Sequence, residues 1–266
     1  MIIFASDFDN TLFYHQGENG YIRKEDIEKI EQFQAVGNLF GLCTGRALFD
    51  VFFDAQDIID FDFYILVSGA LILDKNYKIL HKASIPFSVI KNMYLHFKNK
   101  YGYNPLLVTE KSFCCVQEKV YDVDTDIYQS IYDMSDLEFI GVSYVLDSLE
   151  ASRTLCEELN ARYGDTIIGY QNSTSVDIVC KGNSKGTGIK FVKKYLKANN
   201  YKTIVATSSA RVRVDVILKN AQIEQYFDDT ICGDEVIHGK PNPEIFLTAC
   251  KKLNVAPSEA LVLEDS

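Results

Sequence analysis

Ile2-Ile3-Phe4-Ala5-Ser6-Asp7-Phe8-Asp9-Asn10-Thr11 decides how this 266-residue chain is read. The apolar run Ile2 to Ala5 has the composition of a short buried strand. Two carboxylates, two residues apart, follow at its C-terminal end. Like charges a few ångström apart raise each other's pKa, so the pair calls for a cation. A hard divalent ion takes oxygen ligands. Mg2+ uses one or two protein carboxylates and shares its remaining sites with water and phosphate. The stretch therefore points to metal-assisted phosphoryl transfer at a strand end.

Outward from that strand the chain alternates. Ile27, Ile30, Phe33 and Val36 fall at helical spacing within 24–36, and Gly37-Asn38 ends the helix. Leu39 to Cys43 reads as a second buried strand, delivering Thr44-Gly45-Arg46. A helix runs on to about Ile59. Phe63 to Val67 reads as a third strand, ending at Ser68-Gly69-Ala70. Strand, helix, strand, helix, strand implies a doubly wound parallel α/β sheet. Near Pro86 the texture changes. Helices over 88–100 and 148–163 lie among strands at 106–108, 113–117, 143–146, 166–170 and 175–179, an α+β module with antiparallel strands. Parallel texture returns at Asn183, with helices over 185–199, 212–220 and 243–253 and strands at 203–206, 229–232 and 261–263. The expected division is a core segment at 1–85, an inserted cap at 86–181 and a second core segment at 182–266.

Composition sets the outer limits. Net charge is 27 − 37 = −10, which disfavours nucleic acid or an anionic membrane as a partner of the whole surface. No apolar run reaches membrane-spanning length, and the N-terminus lacks a secretory signature. Seven scattered cysteines, without a CxxC pair, suit neither a disulfide framework nor a zinc site. The expected location is the cytoplasm, with reduced thiols. The four histidines, at 15, 81, 96 and 238, show no ligand spacing and read as surface or satisfied core residues.

Four clusters carry chemistry. Asp7 is placed to attack phosphorus as a nucleophile, and Asp9 to protonate the leaving oxygen and later take a proton from water. Thr44-Gly45-Arg46 arrives on the same rim, because loops at strand C-terminal ends meet in one crevice; a hydroxyl and free N–H groups there suit a phosphoryl oxygen. Gly182-Asn183-Ser184-Lys185-Gly186 opens a helix with a lysine at its positive end, but lacks Walker spacing. Glu264-Asp265 follows a strand and could complete a metal shell with Asp7.

Together these motifs resemble the haloacid dehalogenase-like (HAD) phosphatase superfamily. Asp7-Phe8-Asp9-Asn10-Thr11 is similar to its first motif. Thr44-Gly45-Arg46, Ser68-Gly69-Ala70 and Ser175-Val176-Asp177-Ile178 leading to Ser184-Lys185-Gly186 resemble the Cof-type branch over residues 1–200. Residues 203–266 resemble instead the branch of β-phosphoglucomutase-like enzymes. There Thr207-Ser208-Ser209 stands as a second motif, Lys240 as the lysine and Glu264-Asp265-Ser266 as the acidic motif. The sequence thus reads as a hybrid of two related cores, stopping where a family member continues with a further helix and strand.

The resemblance implies a Rossmann-like core with an α+β cap, and a Mg2+-dependent phosphatase acting on a small phosphorylated metabolite such as a sugar phosphate. Asp7, Asp9, Thr44 and Lys185 are the expected catalytic set. Phe8, Gly45 and Arg46 are further phosphate contacts, with Thr207, Ser208 and Lys240 as the alternative set. Asp7, Asp9, Glu264 and Asp265 are the expected metal ligands. Either 261–263 or 203–206 takes the place beside the first strand, and the first arrangement better explains the chemistry. A catalytically degraded phospho-ligand-binding module and a phosphomutase are the rival readings.

Overall fold

The computed structural model describes residues 3–16, 19–55, 58–120, 123–196, 204–220, 224, 227–239, 242–257 and 260. They fall into two compact units, residues 1–196 and residues 197–266. In chain order the first unit holds β1 (Ile3–Ser6), β2 (Tyr14–Gln16), β3 (Asn19–Tyr21), α1 (Lys24–Ala35), β4 (Leu39–Cys43), α2 (Leu48–Ala55), β5 (Phe63–Leu66), β6 (Leu71–Asp74) and β7 (Ile79–Lys82). It continues with α3 (Phe87–Tyr101), β8 (Leu106–Val108), β9 (Phe113–Val116), β10 (Thr125–Tyr128), β11 (Gly141–Val145), α4 (Leu149–Tyr163), β12 (Ile167–Asn172), β13 (Ser175–Cys180) and α5 (Lys185–Tyr195).

The core sheet has the order β1-β4-β5-β6-β7. The first three strands are parallel. All four residues of β5 are buried, alternately against two different clusters. Tyr64 and Leu66 join the cluster that contains Ile30 of α1 and Val51 of α2. Phe63 and Ile65 join the one that contains Val192 of α5. Helices therefore cover both faces, which is why these strands read as continuous apolar runs. Strands β6 and β7 are an antiparallel addition that the alternation did not announce. Their spacing explains it: four residues separate β5 from β6 and β6 from β7, the length of a hairpin loop. Asp74 fixes the turn by accepting from the backbone of Asn76 and Lys78 at 2.8 and 3.0 Å.

The cap is a six-stranded sheet of order β10-β9-β8-β11-β13-β12. One face packs α3 and α4 around Met93, Phe97, Tyr144 and Leu159. Its pairs are antiparallel except β9–β10. Eight residues separate those two strands, longer than the roughly two to five of a hairpin loop. On the other face, Phe113, Val108, Val179 and Ile168 join the core cluster of Phe8, Phe13 and Val67. Phe113 meets Phe49 of α2 edge-on, with ring centroids 4.7 Å apart.

The second unit contains β14 (Ile204–Ala206), α6 (Arg211–Asn220), β15 (Asp229–Ile231) and α7 (Glu244–Leu253). Among its described residues, β14 and β15 pair in parallel. Val214, Leu218 and Cys232 make one small core, and Ile231, Ile245 and Ala249 another. Of the expected second core segment, α5 thus lies in the first unit and the rest in the second. Within the first unit β1 pairs with β4. Residues 261–263, a proposed neighbour of β1, lie outside the described residues, as do Lys240, Glu264 and Asp265.

Candidate active site

Asp7 leaves the C-terminal end of β1, and the chain turns at once. Asn10 adopts a left-handed φ of 57°, a conformation that asparagine tolerates better than most residues. Leu12 N and Phe13 N both donate to the Phe8 carbonyl, at 2.9 and 2.8 Å. Phe8 is fully buried and stacks on Phe13 with centroids 5.1 Å apart. This anchored ring sends its two flanking carboxylates outward. Asp7 Oδ1 also accepts from Phe8 N at 2.9 Å.

Thr44-Gly45-Arg46 follows the adjacent strand. Thr44 is 1% exposed, and its hydroxyl accepts from Arg46 N at 3.2 Å. The Arg46 guanidinium lies over the Phe8 ring, 5.1 Å from its centroid. It donates to both oxygens of Asp9, from Nε at 3.0 Å and from the terminal nitrogen at 2.5 Å. Asp50 comes within 3.7 Å of Arg46 Nε.

Lys185 completes the group from 178 residues away in sequence; its Nζ donates to Asp7 Oδ1 at 2.7 Å. The start of α5 is built to hold it. Ser184 and Thr187 form a reciprocal capping box, which satisfies two orphan donors. Gly188 lets the helix approach the sheet, since a Cβ there would stand 2.4 Å from Ile65 Cγ2. A lysine in the first turn opposes the helix dipole, and the Asp7 carboxylate offsets that. Gly69, at φ 89°, touches the same turn: a Cβ would lie 2.3 Å from the Ser184 carbonyl oxygen. Val67 and Ser68 before it are also left-handed, at φ 47° and 49°, which costs of order 1–3 kcal/mol each. The strain is held by two bonds, Val67 N to Arg46 O at 2.9 Å and Ser68 N to Thr44 O at 3.1 Å. The third-strand loop is thereby keyed to both the Thr44 turn and the Lys185 helix.

Burial pushes the Asp9 carboxyl up, but hydrogen bonds and charge from Arg46 and His15 outweigh it and hold the group below its usual range. His15 is the residue that sequence reasoning missed. Its Nε2 lies 2.8 Å from Asp9 Oδ1. The signal available was its position four residues past Thr11, with Gly17 and the Asn19-Gly20 dipeptide, both hairpin residues, close behind it. Beneath the site, burial drives the Cys43 thiol up to about 12, with Lys185 opposing.

The structure thus brings together Asp7, Asp9, Thr44, Arg46 and Lys185, with Phe8 and Gly45 in the loops between them. Thr207 and Ser208 belong to the second unit, after β14. There Cys232, Asp234 and Glu235 approach one another closely enough to suggest a metal group. Glu235 instead pairs with Arg211 and Lys252, and Asp234 accepts from Arg211 N, so the cluster is satisfied internally. Among the described residues, no helix is long and apolar enough to cross a membrane.

Residues 4–206 match a family model described as haloacid dehalogenase-like hydrolase, and residues 183–266 match a second model of the same description. A phosphorylated carbohydrates phosphatase of Thermotoga maritima is 37% identical over 79 residues, 30% of this chain and 37% of that protein. Pyrophosphatase PpaX of Bacillus thuringiensis is 37% identical over 71 residues, 27% of this chain and 33% of that protein. The chain spans about a third of the length of these curated relatives. Among solved structures, the HAD subclass IIB sugar phosphatase BT4131 superposes with a TM-score of 0.63 at 19% identity, over 96% of this chain and all of that one. A haloacid dehalogenase-like hydrolase from B. subtilis gives 0.65 at 17% identity, over 88% of this chain and 96% of that one. At these identities the likeness is one of fold: a Rossmann-like core carrying a cap.

Proposed function

The chain belongs to the haloacid dehalogenase-like hydrolase family, and from that premise we propose that it is a phosphatase of small phosphorylated metabolites, sugar phosphates among them. The observation that carries the reading is the 2.7 Å contact of Lys185 with Asp7, on the rim where Thr44 ends the adjoining strand. Lys185 meets Asp7 and Arg46 meets Asp9, so three motifs spread over 178 positions converge on one pair of carboxylates. The phosphorylated carbohydrates phosphatase among its relatives supports the substrate class.

In this reading an Asp7 oxygen attacks phosphorus and the bond to the leaving oxygen breaks, giving an aspartyl-phosphate. Asp9 donates a proton to the leaving oxygen. It then takes one from the water that cleaves the acyl phosphate. Thr44, the Gly45 and Arg46 backbone and Lys185 hold the phosphoryl oxygens. Asp9 is ionised and clasped by Arg46 in the free protein, so before Asp9 can act as an acid Arg46 must turn from it toward the phosphate and Asp9 must take up a proton, from water or from a monoanionic phosphate ester. The cap excludes water from this crevice.

The donor set fits Mg2+. Asp7 offers a half-exposed carboxylate of hard oxygens, while both oxygens of Asp9 are engaged by Arg46 and His15. Asp7 and the Asp9 segment would hold the ion, with Glu264 and Asp265 as the further carboxylates. Bound there, Mg2+ supplies charge that offsets the repulsion between Asp7 and the phosphate. Seven free thiols suit a cytoplasmic setting. Phosphate release from a panel of metabolite monoesters, wild type against Asp7→Asn, tests the reading; equal rates in the two would sink it.

A further inference from the structure

The inner face of the cap sheet changes character from one row of side chains to the next. The row seated on the core is apolar: Phe113, Val108, Gly141, Val179 and Ile168 lie side by side across five strands. The next row is Leu106, Ser143, Asp177 and Tyr170, in directly opposed pairs. The third is Val145, Ser175 and Asn172. Exposure rises in the same direction, from buried Val108 and Val179 through half-buried Ser143 and Asp177 to exposed Val145 and Asn172.

The middle row reaches the catalytic rim at one end. The Tyr170 hydroxyl donates to the Asn183 carbonyl at 2.9 Å, two residues before Lys185. Beside Tyr170, Asp177 Oδ1 accepts from the Ser143 hydroxyl at 2.8 Å, and Oδ2 lies 3.5 Å from Asn172 Nδ2. Among the described residues no cation pairs with Asp177. A carboxylate offers about four acceptor directions, and these neighbours take two. An unpaired, half-buried carboxylate near a phosphate site opposes the binding of any anion, unless its acceptor capacity is what the ligand requires.

We propose that Asp177, oriented by Ser143, is the specificity-determining residue of the cap: it accepts hydrogen bonds from the hydroxyls of a neutral, polyhydroxylated leaving group and repels a leaving group with a negative charge of its own. The inference rests on the phosphatase reading for the position of the phosphate, and it names which monoesters that site takes. Sugar and polyol monophosphates fit. Bisphosphates and pyrophosphate, whose leaving groups are anionic, are disfavoured.

The test is calorimetric binding to the Asp7→Asn chain, in Mg2+ buffer, of fructose 6-phosphate and fructose 1,6-bisphosphate. The monophosphate is expected to bind at least tenfold more tightly. Adding Asp177→Asn is expected to bring the two within about threefold, mainly by tightening the bisphosphate. Ser143→Ala is expected to move the ratio the same way by a smaller factor, since it loosens the carboxylate without discharging it. Melting curves confirm that each variant is folded. A ratio unchanged by Asp177→Asn overturns the proposal, as does failure of both sugars to bind. Wild-type protein that shows this binding pattern but releases no phosphate from any monoester sinks hydrolysis and leaves the selectivity standing. Hydrolysis with an unmoved ratio does the reverse.

Discussion

Thr44-Gly45-Arg46 and Thr207-Ser208-Ser209 each follow a parallel strand, and three hydrogen bonds around the one have counterparts around the other. Thr44 N donates to Ile65 O at 2.8 Å, and Thr207 N to Ile231 O at 3.1 Å. Each threonine hydroxyl accepts from the amide two residues on, at 3.2 Å in both. The carbonyls of Arg46 and Ser209 accept from Val67 N and Gly233 N, at 2.9 and 3.0 Å. What differs is the company. Beside β4 stands β1 with Asp7 and Asp9, and Lys185 arrives from α5. Thr44 is buried there, whereas Thr207 is partly exposed. A hydroxyl turn of this kind follows from a parallel strand that feeds a helix. On the proposed function, the role of the Thr44 turn comes from the carboxylates that β1 delivers beside it.

That contrast can be broken or sharpened by mutation. The largest effect is expected at Asp7→Asn, which removes the proposed nucleophile and is expected to lower the phosphate-release rate by about 10³-fold or more. Lys185→Ala removes the charge opposite Asp7 and is expected to lower kcat/KM by about 10²–10³-fold. Thr44→Val keeps the shape and deletes the hydroxyl, with an expected loss of roughly 10²-fold. Thr207→Val, the matched change, is expected to leave kcat/KM within about twofold. An equal loss in both would show that the two turns serve one reaction. Gly69→Ala is expected to destabilise by about 2–4 kcal/mol in a thermal melt and to lower kcat as well, because the new methyl meets the Ser184 carbonyl and displaces Lys185.

A small effect on stability lies in the cap, away from both turns. Lys100, then His96 and Tyr101, hold the Glu158 carboxyl at about 2. A carboxyl held that low in the fold stabilises it fully above the usual carboxylate range. That contribution is lost as pH falls from there through about 2. Glu158→Gln is therefore expected to cost about 0.5–1 kcal/mol at pH 7, and its melting curve should merge with wild type near pH 2.

Much of the contrast was legible beforehand. Strands β1, β4, β5 and β14 announced themselves as short apolar runs, because parallel strands covered on both faces carry no alternation to confuse the reading. Lys185 was legible as a partner of Asp7 only with Lys240 standing as the alternative, because a lysine at a helix start is common and the resemblance offered two such lysines. The β6–β7 hairpin was not, because buried strands of both directions look alike until loop length is counted. Nor was His15: its place beside Asp9 depends on a three-residue strand that folds back, and strands so short carry almost no periodicity. The Arg46–Asp9 clasp was invisible for a different reason. The sequence places both groups on one rim but does not say which partner an arginine takes before a phosphate arrives.

Cys43 lies one residue before the buried hydroxyl and directly under the lysine helix, with its thiol pushed to about 12. In redox terms the floor of the site is silent. At neutral pH about one such thiol in 10⁵ is ionised, and the thiolate is the form that alkylating agents and peroxides attack. On the proposed function, a crevice floored in this way is expected to resist oxidants that disable a phosphatase whose nucleophile is itself a cysteine.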